Sequence, residues 1–369
     1  MIINFSRAAT FLLCKEKAFN IYHRRIGGGK SFDMAMGSGL HAGVAHGLAT
    51  KDWVSGRAKA QEVFKEESQP LVDAMLDEEK YSLPTYQAIV NRMVECYEEN
   101  FSKDDIEVIQ PECEFDFPLA GSQHNCIFKH WIEASGMEHF SAPTAEDILL
   151  GKVKSPHAKP DESCACWQPH RVVGRTDAVV MWTTTSGRNL WLLEHKTSSR
   201  EGEAFWDNFL LDLQPTTYIL GIWRQLSIRP RGFIVNQIFK PSENQVKSWN
   251  AKRKYGAMKD VSDYIRFSRQ PFLREDADLR RAEQQYTDIC DEWEWRILNN
   301  KWPMTNVSGI CQLYNRKCAF HSSCLSHRSQ ELLDGMAVRE PDYVDLKYLD
   351  PMVSSPGRAI NVDKELIEL

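Results

Sequence analysis

The sequence predicts an α/β fold: a short mixed sheet flanked by helices and extended by helical parts at both ends of the chain. Three observations predict it. Residues 171–182, residues 189–197 and the later segment RGFIVNQIF are short runs rich in β-branched and apolar residues, the composition of strands. Residues 32–50 and 276–299 read as helices, the former with small and apolar residues at helical spacing. Strand and helix segments are interleaved along the chain, an order that favours α/β over an all-helical protein.

From the N-terminus, residues 1–25 and 32–50 are predicted as helices on either side of the loop RRIGGG. Gly29-Lys30-Ser31 has the ending of a phosphate loop, but Arg24 stands where such a loop needs glycine and no strand precedes it, so an ATP site is excluded. Residues 52–102 read as helical, with mixed charge. EVIQPECEFDFPL alternates polar and apolar residues and is the first expected core strand, from which Glu112 or Glu114 could approach a metal. Residues 119–170 read as an insertion; His157, Cys164, Cys166 and His170 within it have an unusual spacing for zinc, and a surface segment is the better reading. The strands at 171–182 and 189–197 are joined by the polar turn TTTSGRN and form a hairpin. A helix within LDLQPTTYILGIW, the strand RGFIVNQIF, the long helix 276–299, a cysteine group and the tail 331–369 complete the chain.

The hairpin carries the chemistry. Asp177 is followed seventeen residues later by Glu194-His195-Lys196. Strand side chains alternate faces, so Glu194 and Lys196 point one way and His195 the other. Asp177 sits in an apolar run, where an unpaired carboxylate is costly to bury. Mg²⁺ or Mn²⁺, which take carboxylate oxygens, would remove that cost and activate a water for attack on phosphorus. Lys196 would orient that water or offset developing charge. A surface ion pair on a half-exposed hairpin is the competing reading of the same three residues.

Gly174-Arg175-Thr176-Asp177 followed by Glu194-His195-Lys196-Thr197 resembles the GxxD…(D/E)xK core of PD-(D/E)XK nucleases, and more narrowly the RecB-like branch that includes AddB-type and CRISPR-associated exonucleases. That branch carries a metal-ligating histidine in a Gly-x-x-x-His helix; His41 takes the position, whereas His46, elsewhere on the helix, reads as an ordinary core histidine. Its Gln-x-x-x-Tyr motif is matched by Gln214 and Tyr218, four residues apart on one helix face, with Pro215 tolerable if Asp212 caps the helix. One cysteine before the core, Cys14, and three after it, Cys311, Cys318 and Cys324, resemble the [4Fe–4S] ligand set of the branch, although Cys311 is shifted from the common Cys-x2-Cys position, where this chain has Asn315. The residues themselves leave structural Zn²⁺ open, because His321 and His327 interleave with Cys318 and Cys324, and leave metal-free thiols open as well.

The resemblance implies one nuclease domain over 1–330, including the iron–sulfur elements and the insertion, followed by the tail. It implies Mg²⁺- or Mn²⁺-dependent hydrolysis of DNA, by exonuclease action on single strands or duplex ends, in recombination, repair or phage DNA metabolism. His41, Asp177, Glu194 and the His195 backbone carbonyl would hold the metal, Lys196 would serve the attacking water, and Gln214 and Tyr218 would position the strand. A helicase or recombination protein is the implied partner. Two alternatives stay open: a DNA-binding or assembly protein that keeps the fold without cutting, and a zinc-stabilised protein with an unrelated hydrolase activity.

Composition bounds these readings. The 369 residues, 42% hydrophobic and 26% charged, are ordinary for a globular protein able to bury a large core. No apolar run approaches eighteen residues and no secretory signal is evident, so no membrane association and a cytoplasmic place, the host's if phage-encoded, are expected. Ten cysteines there would be free or metal-bound rather than paired. A net charge of −6 opposes binding to phosphates, but between Arg224 and Arg281 fourteen Lys and Arg face six Asp and Glu. Lys252-Arg253-Lys254-Tyr255 and Tyr264-Ile265-Arg266-Phe267 within it are expected to border a DNA channel.

Overall fold

Six strands form one mixed sheet in a computed structural model that describes residues 1–27, 31–75, 82–101, 105–119, 170–185, 187–253, 261–305, 308–311, 317–326, 330–334 and 336. The insertion between its two ends, nearly all of the tail, the side chains of Lys252 and Arg253, and Lys254, Tyr255, Cys126, His157, Cys164, Cys166, Asn315 and His327 lie outside the described residues. The element order is β1 (Ile2–Ile3), α1 (Phe5–Leu13), α2 (Lys15–Tyr22), α3 (Phe32–Thr50), α4 (Trp53–Asp73), α5 (Leu83–Phe101), β2 (Ile106–Pro118), β3 (Arg171–Thr184) and β4 (Gly187–Ser198). It continues with α6 (Glu203–Asp207), α7 (Leu213–Leu226), β5 (Gly232–Phe239), α8 (Glu243–Arg253), a 3₁₀ turn (Val261–Tyr264), β6 (Arg266–Leu273), α9 (Asp276–Asn299) and the short α10 (Ser308–Cys311), α11 (His321–Leu325) and α12 (Gln330–Asp334).

The strand order is β1-β3-β4-β5-β6, with β2 also paired to β3. β3 and β4 are the predicted antiparallel hairpin; β4 and β5 run parallel, β5 and β6 antiparallel, and β1 parallel to β3. The α/β class and the mixed, helix-flanked sheet are as the sequence predicts. β1 and β6 are additions to that reading. β6 contains the Arg266-Phe267 pair, read above as part of a basic surface; it is an edge strand, which is where Pro271 can be accommodated without breaking a ladder on both sides.

The chain divides into two compact units, one of Met1–Gly28, Phe117–Val173 and Glu283–Leu369, the other of Gly29–Asp116 and Gly174–Ala282. In the second unit α3 packs on α4 through glycines at every fourth position, hence on one helix face. A Cβ at Gly43 would lie 2.7 Å from the Cβ of Ala60 and 2.8 Å from the carbonyl of Gly56, and one at Gly47 would lie 2.4 Å from the Trp53 ring. Backbone meets backbone there, and nothing larger fits. Tyr86, Ile89, Val90, Met93 and Val94 on α5 recur at helical spacing and bury against Leu40 and Val44 of α3, and Ala178, Val180, Leu193 and Ile234 of the sheet. Each fully buried aliphatic contributes about 1.5–3 kcal/mol, so this face holds α3 firmly to the sheet. The ring of Phe115 is bracketed by two other glycines, Gly174 of β3 and Gly221 of α7.

In the first unit aromatic rings join distant segments. Phe11 stacks on Trp293 with ring centres 4.6 Å apart, Phe19 stacks on Trp302 at 4.9 Å, and the Trp293 indole N–H donates to His23 Nε2 at 2.9 Å. Among the described residues no helix is long and apolar enough to cross a membrane.

Candidate active site

The β3–β4 ladder runs from Thr184↔Gly187 to Ala178↔Leu193 and stops there. Asp177 is the next residue. Its Oδ2 accepts the His195 N–H at 2.6 Å, replacing the strand partner that this amide has lost, and its Oδ1 lies 3.1 Å from Nδ1 of His41. His41 reaches this point from α3, whose glycine seam fixes the helix. Burial works against charge on Asp177, but His41 and the amide of His195 outweigh it and hold the carboxyl well below the usual carboxylate range. His41 gains in return: burial opposes its protonation, Asp177 and Glu194 more than compensate, and its pKa rises.

Glu194 is only 3% exposed. Its Oε1 is 2.6 Å from the ammonium of Lys196, while Oε2 is buried with no hydrogen-bond partner among the described residues. Burial, opposed by Lys196 and reinforced by Asp177, pushes its carboxyl up to about 7. Lys196 also donates to Gln214 Oε1 at 2.8 Å, and Gln214 Nε2 donates to the Tyr218 hydroxyl at 2.8 Å. Burial alone would lower the Lys196 pKa; Glu194 reverses that and keeps it cationic. Asp212 caps α7 by accepting the Gln214 N–H at 2.9 Å, so Pro215 falls in the first turn, where a missing N–H forfeits no helical bond.

The structure thus brings His41, Asp177, Glu194, Lys196, Gln214 and Tyr218 into one hydrogen-bonded neighbourhood, with the backbone of His195 among them. The His195 side chain lies on the face of β4 opposite Glu194 and Lys196, toward His41 with ring centres 6.0 Å apart, 2% exposed, with Nδ1 3.2 Å from Asn236 Nδ2. Burial is the main cause that lowers its pKa to about 4. Glu112 pairs with Arg175 at 3.4 Å, and His46 bonds Ser55 at 3.0 Å. Arg266 lies over the Phe239 ring at 4.5 Å and pairs with Glu201, so that cation is already partnered.

Residues without a motif also shape the site. Arg274, 7% exposed, donates from Nε to the Thr216 hydroxyl at 2.8 Å and from a terminal nitrogen to the Phe209 carbonyl, tying down the first turn of α7. No local pattern announces it. Its only signal is a cation beside the apolar end of a strand.

Cys14, Cys311, Cys318 and Cys324 line one cavity of about 130 Å³ in the first unit, along with Phe320 and His321. All four thiols are free. Cys14 sits at the joint of α1 and α2, and the Cys318 N–H donates to the Cys311 carbonyl at 2.8 Å. Burial first, then Glu16 and the other three thiols, push Cys324 up to about 11. A cation among the four sulfurs would offset what opposes the Cys324 thiolate, since a metal ligand is the thiolate. The orphaned Glu194 oxygen beside Asp177 likewise suits a hard cation. Among the described residues, no group of three or more His, Cys, Asp or Glu side chains is placed so that it could hold a metal ion as it stands.

No family model and no curated protein sequence matches the chain.

Proposed function

We propose that this chain is a Mg²⁺- or Mn²⁺-dependent deoxyribonuclease with a PD-(D/E)XK core of the RecB-like kind, acting as an exonuclease on single strands or duplex ends. The observation that carries the reading is Glu194: a nearly buried carboxylate with one oxygen on Lys196 and the other without a partner among the described residues, next to Asp177. A buried polar atom left unpaired is destabilising by about 1–3 kcal/mol, and a cation shared with Asp177 would remove that.

Asp177, Glu194 and His41 would hold the ion, with the His195 carbonyl as a further oxygen. Once bound, a divalent ion lowers the pKa of a coordinated water and polarises a phosphoryl oxygen. Lys196 remains cationic and is held from two sides, by Glu194 and Gln214, so its ammonium meets the phosphate and the attacking water in a fixed place. Gln214 and Tyr218, bonded to one another, present an amide and a phenol to the strand from the start of α7. Cys14, Cys311, Cys318 and Cys324 would hold a [4Fe–4S] cluster, or Zn²⁺ in the alternative, as a structural tie without a redox step in cleavage. The setting is DNA recombination, repair or phage DNA metabolism in the cytoplasm, beside a helicase or recombination protein.

The test incubates pure protein with end-labelled single-stranded and blunt duplex DNA and Mn²⁺ or Mg²⁺, with Lys196→Ala as control. Metal-dependent shortening by the unsubstituted chain alone is expected. No cleavage, or equal cleavage by the variant, would favour a protein that binds DNA without cutting it. Iron, sulfide and zinc analysis of anaerobically purified protein decides the cofactor half.

A further inference from the structure

A second buried polar row crosses the sheet, on the side of β4 opposite Lys196. In the ladders His195 stands beside Asn236, and Asn236 beside Arg269, so the three residues form one line over β4, β5 and β6. We propose that Asn236 and Arg269 are positioning residues for the nuclease site, acting through the His195 side chain to fix the peptide whose N–H holds Asp177. The inference rests on the nuclease reading.

The polarity of the row follows from chemistry. Arg269 Nε lies 2.5 Å from Asn236 Oδ1, and a guanidinium has donors only. The amide oxygen of Asn236 therefore faces Arg269, and its NH₂ faces His195. Asn236 Nδ2 is 3.2 Å from His195 Nδ1, so Nδ1 is the lone-pair nitrogen and the single proton of the neutral ring sits on Nε2, which is buried without a hydrogen-bond partner among the described residues. A ring protonated on Nδ1 would set donor against donor. Asn236 is 0% and His195 2% exposed, so water cannot repair a mismatch. The Tyr97 ring stands edge-on to the imidazole, with centres 4.9 Å apart and planes at 80°, and closes off other rotamers.

The row matters because the β3–β4 ladder has ended one residue earlier. Past Ala178↔Leu193 the amide of His195 bonds the Asp177 carboxylate instead of a strand. On the β5 side the ladder continues to Ser198↔Phe239, and the row from Arg269 through Asn236 to the imidazole adds a side-chain constraint on that peptide. Partners of this kind, one step removed from a metal site, typically change affinity or activity about 10–100-fold when replaced.

The experiment records imidazole ¹⁵N resonances of the metal-free full chain and, in parallel, DNA cleavage with Mn²⁺ and DNA binding with Ca²⁺. Asn236→Asp, nearly isosteric, places an acceptor opposite Nδ1; Arg269→Gln, on the edge strand, is the milder variant should the first not fold. Expected are a wild-type His195 protonated on Nε2, transfer of that proton to Nδ1 in Asn236→Asp, and turnover reduced about 10–100-fold with DNA binding unchanged. A wild-type ring protonated on Nδ1 overturns the proposed polarity. Unreduced turnover in folded variants overturns the positioning role. Absence of any cleavage by the wild type defeats the nuclease reading and the positioning role together, while the NMR result still decides the polarity of the row.

Discussion

Gly221→Ala should change sign according to what stands at position 115. In the native chain a Cβ at Gly221 would lie 2.3 Å from Cδ2 and 2.4 Å from Cγ of Phe115, and the ring cannot withdraw, because its Cζ is already 2.5 Å from where a Cβ of Gly174 would be. Overpacking of this kind is destabilising by about 1–3 kcal/mol, and the upper end applies to a ring held from both sides. Gly221 lies inside α7, where alanine is intrinsically better than glycine by about 1 kcal/mol. The net effect expected is a loss of about 2 kcal/mol. Phe115→Ala alone should be destabilising by about 3–5 kcal/mol. With the ring gone, Gly221→Ala keeps its helix gain and meets no clash, so it should stabilise by about 1 kcal/mol. Urea unfolding followed by tryptophan fluorescence gives all four stabilities, and the cycle predicts a coupling of about 3 kcal/mol. Equal destabilisation by Gly221→Ala in both backgrounds would refute the packing argument.

Other outcomes are expected together. Glu194 has a folded pKa near 7 against an ordinary 4.5, so in metal-free protein its contribution to stability is full below pH 4.5 and lost as pH rises through about 7; Glu194→Gln should remove that part of the pH dependence of the unfolding midpoint. For the same reason Mn²⁺ affinity should weaken as pH falls below about 7, because the ion must displace a proton from Glu194; a titration flat from pH 5 to 8 would contradict this. Asp212→Ala removes the cap of α7 and should lower stability by about 1 kcal/mol, read by the same urea unfolding. Cys318→Ser should lower bound iron or zinc in protein as purified, with unchanged metal content arguing against the four-thiol site.

The sequence made some parts of this molecule legible and hid others for physical reasons. The hairpin was readable because the signal is local: two apolar runs and a polar turn. The cap on α7 was readable from Asp212 two residues before Gln214 and three before Pro215. Glu194 and Lys196 share a face by strand periodicity, which needs no tertiary knowledge. β1 was not readable, since two residues carry no pattern and its partner lies about 170 positions away. β6 is not readable as a strand, because arginines interleaved with phenylalanines carry the pattern of a basic surface segment, and only the ladder with β5 shows the strand. The line His195–Asn236–Arg269 depends on two strand registers at once, and no single stretch of chain encodes it. Gly43 and Gly47 looked like generic small residues until their neighbours were known.

The first compact unit draws its early helices and its last long helix from stretches of chain more than two hundred residues apart. Phe11 and Phe19 emerge from the ribosome well before Trp293 and Trp302, the rings they stack on. At about 5–20 residues per second the delay is on the order of 15–60 s. For that interval the nascent chain carries two segments too short to hold helices alone and an unguarded thiol at Cys14, while the intervening unit has every residue it needs to fold first.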